Sequence, residues 1–117
     1  MGHEMTAIHE PRFSFSPSAI KAIAALRPLF EAQLNEKSGA VFVAWGTSLP
    51  QSGSLGASAL IISFYTEHQM IEMAKHVRII DGLEVILFTL PENYPRFEGK
   101  VIDYTNDKGF FLRQKLK

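Results

Sequence analysis

His68, Glu72 and His76 recur at every fourth position. On a helix that spacing sets two imidazoles and a carboxylate along one face. Two histidines and one carboxylate form a donor set that suits iron or another divalent transition metal, and Glu67 supplies a further oxygen. An apolar segment opens at Val77, where such a helix would already be fraying. A solvated polar face is therefore the preferred reading; no metal ligand is assigned, and His68, Glu72 and His76 stand as the alternative set. A second chemistry is nucleophilic. Ser48, Ser52, Ser54 and Ser58 lie close together, His68 or His76 could act as base, and Asp81 or Asp103 could orient it. Gly53-Ser54-Leu55-Gly56 comes near a nucleophile elbow without completing one, and serines among glycines usually build turns, so no catalytic residue is assigned. A third chemistry is recognition. Trp45 ends an apolar run just before Gly46-Thr47, and Tyr94-Pro95-Arg96-Phe97 can stack a guanidinium on an aromatic ring. Ser54, Trp45, Tyr94 and Arg96 are the candidate ligand- or partner-binding residues. His3 and His9 are read as solvated side chains.

The balance of charge limits the partners. Twelve basic and twelve acidic residues cancel, so no long-range positive field gathers phosphates and nucleic acid is not an expected partner. Near-zero net charge removes one barrier to self-association, which leaves a homo-oligomer open. There is no cysteine, which excludes disulfides, thiolate metal sites and cysteine nucleophiles. No apolar run reaches the length of a membrane span, and residues 1–11 lack the apolar centre of a signal peptide. A soluble, cytoplasmic protein with no membrane partner is expected. Nine Phe, one Trp and three Tyr in 117 residues supply core enough for one domain without a metal or crosslink.

The elements that must position these residues follow from spacing. Residues 1–11 read as a flexible tail. Phe13 and Phe15 alternate with polar neighbours, as in a half-buried strand. Ser16-Pro17 starts a helix whose face carries Ile20, Ile23, Leu26 or Arg27, Phe30 and Leu34. Pro28 lies inside it and predicts a kink or a break near residues 25–27. Lys37-Ser38-Gly39 predicts the helix end, with glycine in the left-handed region. Residues 40–45 form an apolar strand, 46–58 a loop of turn-forming residues, and 59–65 a strand apolar on both faces and so expected to be central. Residues 66–75 predict a short helix. Asp81-Gly82 predicts a tight hairpin turn between strands 77–80 and 83–88. Residues 90–97 make a crossing, 100–104 a strand, 105–109 a turn and 110–113 the last strand; residues 115–117 are expected to fray. This is an α+β fold, mostly β.

Gly82-Leu83-Glu84-Val85, the run Phe97-Glu98-Gly99-Lys100-Val101-Ile102-Asp103-Tyr104, and Gly109-Phe110 occur in an order that resembles the HesB-like, or A-type iron–sulfur carrier, domain over residues 13–113. The resemblance implies a compact distorted β-sandwich or pseudo-barrel of about seven short strands with an N-terminal helix, as one domain over residues 12–114. Members of that family hold iron or a cluster with three cysteines. Ser54 falls at the place of the first, and the other two have no counterpart in the chain. A serine hydroxyl is neutral at pH 7 and offers hard oxygen, a poor match for iron–sulfur chemistry. The expectation is a non-catalytic HesB-like binding module of unknown ligand, accessory to iron–sulfur cluster assembly rather than a thiolate-ligated carrier, with no cofactor. An iron-binding protein using His and Glu, or a small enzyme using a loop serine, are the alternatives.

Overall fold

The computed structural model describes residues 8–47, 58–89 and 91–115. Its first strand, β1 (Ile8–His9), is followed by β2 (Ser14–Phe15) and helix α1 (Pro17–Leu34). Ser16 caps α1 as its sequence requires. Its backbone is extended, its Oγ accepts from the Ala19 N–H at 3.0 Å, and Pro17 occupies the first turn, where no N–H is missed. The inward stripe is Ala19, Ile20, Ile23, Arg27 and Phe30, whereas Leu26 and Leu34 are exposed. Arg27 takes the inward place because its guanidinium lies 4.7 Å over the Phe64 ring while its Nη1 donates to Ser38 Oγ and the Gly39 carbonyl.

Two sequence expectations about α1 change. The helix does not break at Pro28 but runs on to Leu34; Ala24 and Pro28 both face solvent, so water can take the carbonyl that proline leaves without a donor. Nor does Gly39 end the helix. Asn35 does, in the left-handed region (φ 55°, ψ 44°), with its N–H donating to the Glu31 carbonyl. Gly39 instead lies in strand β3 (Ser38–Thr47), where a Cβ would overlap the Met70 side chain.

After β3 come β4 (Ser58–Thr66), a single-turn helix α2 (Met70–Met73), a 3-10 turn (Ala74–His76), β5 (Arg78–Ile80), β6 (Leu83–Phe88), a 3-10 helix (Pro91–Arg96), β7 (Lys100–Thr105) and β8 (Gly109–Gln114). One sheet runs β1-β6-β3-β4, with β5 beside β1 along the same edge of β6; the other runs β2-β7-β8. Both are mixed. β3 and β6 run parallel, as do β2 and β7, while the remaining pairs are antiparallel. The β5–β6 turn forms at Asp81-Gly82, both with positive φ, as a two-residue hairpin demands. Between the sheets and α1 lies one core, built from Phe13, Phe15, Ile23, Val41, Val43, Phe64, Val85, Leu87, Phe97 and Ile102. The edges β4 and β8 approach each other without pairing, so the described residues form a sandwich and not a closed barrel.

β4 corrects a further expectation: among the described residues it is an edge strand, paired to β3 alone. Its two apolar faces have another cause. Leu60, Ile62 and Phe64 enter the main core, while Tyr65 packs with Ala40 and Ile86 under Met70, Met73 and Val77 on the sheet's outer side. Apolarity on both faces therefore records cover above and below the strand, not a neighbour on each side. Residues 8–11, expected in the flexible tail, also belong to the fold. Ile8 and His9 pair with Phe88 and Leu87, and Pro11 is buried. Among the described residues no helix is long and apolar enough to cross a membrane.

Candidate functional site

Two of the four candidate binding residues, Trp45 and Arg96, meet at one corner, and a third, Tyr94, lies on the same 3-10 helix as Arg96. Trp45 is half-buried near the end of β3, and its ring packs edge-on against Phe97, with centroids 6.3 Å apart. Arg96 closes the 3-10 helix and is exposed; its guanidinium carbon stands 4.8 Å over the Trp45 ring centroid. The two prolines of the crossing restrict its backbone, so Phe97 enters the core as an anchor and Arg96 is left at the surface beside Trp45. Asn93, which sequence reasoning did not single out, orients the guanidinium: its Oδ1 accepts from Arg96 Nε at 3.1 Å. Neither terminal nitrogen of Arg96 has an acceptor, and no carboxylate lies within ion-pair range of it, among the described residues. The other stacked arginine differs, because Arg27 commits its Nη1 to two oxygens.

Tyr94 flanks this pair on the same 3-10 helix. Its hydroxyl donates to the Glu10 carbonyl at 2.7 Å, and its ring stacks on His9 at 4.7 Å. His9 is therefore not the solvated tail residue that its position in the sequence implied. Its Nε2 lies 3.1 Å from the Thr89 carbonyl, which can only accept, so Nε2 carries the proton. The signal that could have found this role is weak: an apolar Ile8 beside His9 and a proline at position 11. The indole Nε1 of Trp45 is buried and has no hydrogen-bond partner among the described residues.

The fourth candidate, Ser54, lies outside the described residues, as do Ser48, Ser52 and His3. Ser58 opens β4 opposite Thr47. The two carboxylates considered as orienters serve the fold. Asp81 Oδ2 accepts from the Phe15 N–H at 2.8 Å, tying β2 to the β5–β6 turn. Asp103 accepts from Ser16 Oγ at 2.6 Å, from the Tyr104 N–H at 2.7 Å and from Arg113 Nε at 2.7 Å. These donors, Ser16 first and then Arg113 and the Tyr104 amide, pull its pKa down to about 2. Neither carboxylate bonds a histidine among the described residues.

His68, Glu72 and His76 do not share one helix. His68 lies in the turn before α2, its N–H donating to Glu36 Oε2; Glu72 is in α2, and His76 is in the 3-10 turn, whose rotation per residue differs. Among the described residues no group of three His, Asp or Glu side chains is arranged to hold a metal ion.

Two open grooves lie elsewhere on the surface. One, about 510 Å³, runs along α1 past Lys21, Ala22, Leu26 and Leu29 to Tyr104; the other, about 490 Å³, lies over Tyr65, His68, Glu72 and Met73. Burial raises the pKa of Tyr65, whose hydroxyl is enclosed without a partner among the described residues, so it stays a neutral phenol. The Trp45–Arg96 corner belongs to neither groove and is a surface site. Its composition of Trp, Tyr and Arg is that of the few residues that dominate protein interfaces. No model of a known protein family matches the chain, and no curated protein matches it.

Proposed function

We propose that this chain is a non-catalytic binding module that docks a protein partner at the corner formed by Trp45, Tyr94 and Arg96. One observation carries the reading: an exposed guanidinium is held over the chain's single tryptophan, oriented by Asn93 and left without an acid partner among the described residues. Ordering the arginine before contact lowers the entropic cost of recognition, and the indole beneath it offers apolar area beside the charge. The likeness of segments 82–85, 97–104 and 109–110 to HesB-like domains belongs to the same proposal, with a role beside iron–sulfur assembly and no cluster of its own. In its favour stands the donor set, since the chain has no thiolate to offer.

Affinity capture with the wild-type chain and with Arg96→Gln and Tyr94→Ala tests the proposal. A partner retained by wild type, lost by both variants, and able to shift Trp45 emission when purified and added back is the expected outcome. Equal capture by all three chains places the contact elsewhere. Labelling by an activated-serine probe, or stoichiometric iron after anaerobic purification, would favour the alternatives instead.

A further inference from the structure

The free end of Arg96 has a chemistry that names its counterpart. A guanidinium presents parallel N–H donors that match the two oxygens of a carboxylate. Here the stack on Trp45 sets the plane of the group and the Asn93 acceptor takes Nε, which leaves Nη1 and Nη2 without an acceptor among the described residues. Arg78 and Arg113 already hold Glu10 and Asp103, and Arg27 is committed to Ser38 and Gly39; among the described residues Arg12 and Arg96 have no such partner, and of these two only Arg96 is stacked on an aromatic ring. A phosphate, at nearly two negative charges, would call for further cations. Arg12, Lys100 and Lys115 line a separate groove with Gly99 that includes neither Trp45 nor Arg96. Small molecules are usually held in concave sites, and none of the four main grooves of the described surface is lined by Trp45, Tyr94 or Arg96.

We infer that the corner reads a carboxylate on an acidic peptide segment of the partner, with Arg96 as a two-pronged receptor and Trp45 and Tyr94 contacting the flanking side chains. The inference rests on the docking surface proposed above and specifies its ligand chemistry. The carboxylate is an acidic side chain of that segment; a chain end presents the same two oxygens and is told apart by the test.

Titrations followed by the Trp45 indole and Arg96 Nε resonances test this. The probes are a short blocked peptide of glutamate and tyrosine, its glutamine counterpart, the glutamine peptide with a free C-terminal carboxylate, and phenyl phosphate. A saturable shift of both resonances by the glutamate peptide is expected, weakened about tenfold or more in Arg96→Lys, which keeps the charge but not the fork, and lost in Arg96→Gln. A response confined to the free C-terminus overturns the acidic-segment reading and assigns the chain end instead. Tighter binding of phenyl phosphate overturns it. Equal shifts from the glutamate and glutamine peptides, unchanged in Arg96→Lys, overturn the carboxylate receptor but leave the docking corner standing. If no probe moves Trp45 and the capture experiment also fails, both are overturned. Arg96 is exposed, so the variants keep their fold, and an unchanged amide spectrum checks this.

Discussion

Asp103 shows how one side chain can hold several elements together. Its Oδ1 takes the Ser16 hydroxyl and the Tyr104 amide, and its Oδ2 takes Arg113 on β8, so the start of α1, β7 and β8 meet on one carboxylate. The Ser16 hydroxyl accepts from Ala19 and donates to Asp103 in the same geometry. Because the folded state lowers the pKa from 3.8 to about 2, the stabilising contribution is complete well above 3.8 and is lost as pH falls toward 2. Asp103→Asn should cost about 1–2 kcal/mol near neutrality, a figure kept low by the partial exposure of the pair. In urea titrations the gap between wild type and variant should close as pH drops from about 5 to 2. A gap that does not change with pH would mean that the carboxylate's charge contributes nothing there.

At the scale of elements, two positions in the sequence pointed to one role and the fold gave them another. Pro28 is carried inside α1 with its ring toward water. Pro28→Ala should restore a donor to the Ala24 carbonyl and raise stability by about 1–3 kcal/mol, read as a higher urea midpoint. No gain would mean that proline's restriction of the unfolded chain offsets the missing bond. Gly39 suited a helix end by type alone, but its lack of a Cβ is what lets Met70 lie on β3. Gly39→Ala should destabilise by about 1–3 kcal/mol through overpacking. Combining it with Met70→Ala should recover part of that loss, a coupling that a double-mutant cycle measures. Full additivity of the two changes would disprove the close approach.

Over the whole molecule, both sheets and α1 share one buried cluster, in which Phe13, Ile23, Val43, Leu87 and Ile102 come from five different segments. No sheet can leave without exposing the core of the other, so unfolding should be cooperative. The single tryptophan gives the check. Trp45 emission and far-ultraviolet circular dichroism should report the same urea midpoint, and separated midpoints would show that the corner opens independently.

Much of the local structure was legible because its causes act within a few residues. Ser16-Pro17 starts α1, Asp81-Gly82 turns the β5–β6 hairpin, and residues 100–104 form β7 where a strand was expected. The mostly-β α+β class followed from those signals, and Trp45, Tyr94 and Arg96, the residues of the proposed docking corner, were identifiable by type. Their meeting was not. β3 and the 3-10 helix are far apart in the chain and are brought together by Phe97 entering the core beneath Trp45. The same holds for β1, whose two residues form a strand only because β6 offers an edge, and for β4, whose apolar faces could not reveal its place in the order. Periodicity states which side of an element is apolar. Which distant surface covers that side is settled when all the apolar faces are buried together, and that choice exists only in the tertiary structure.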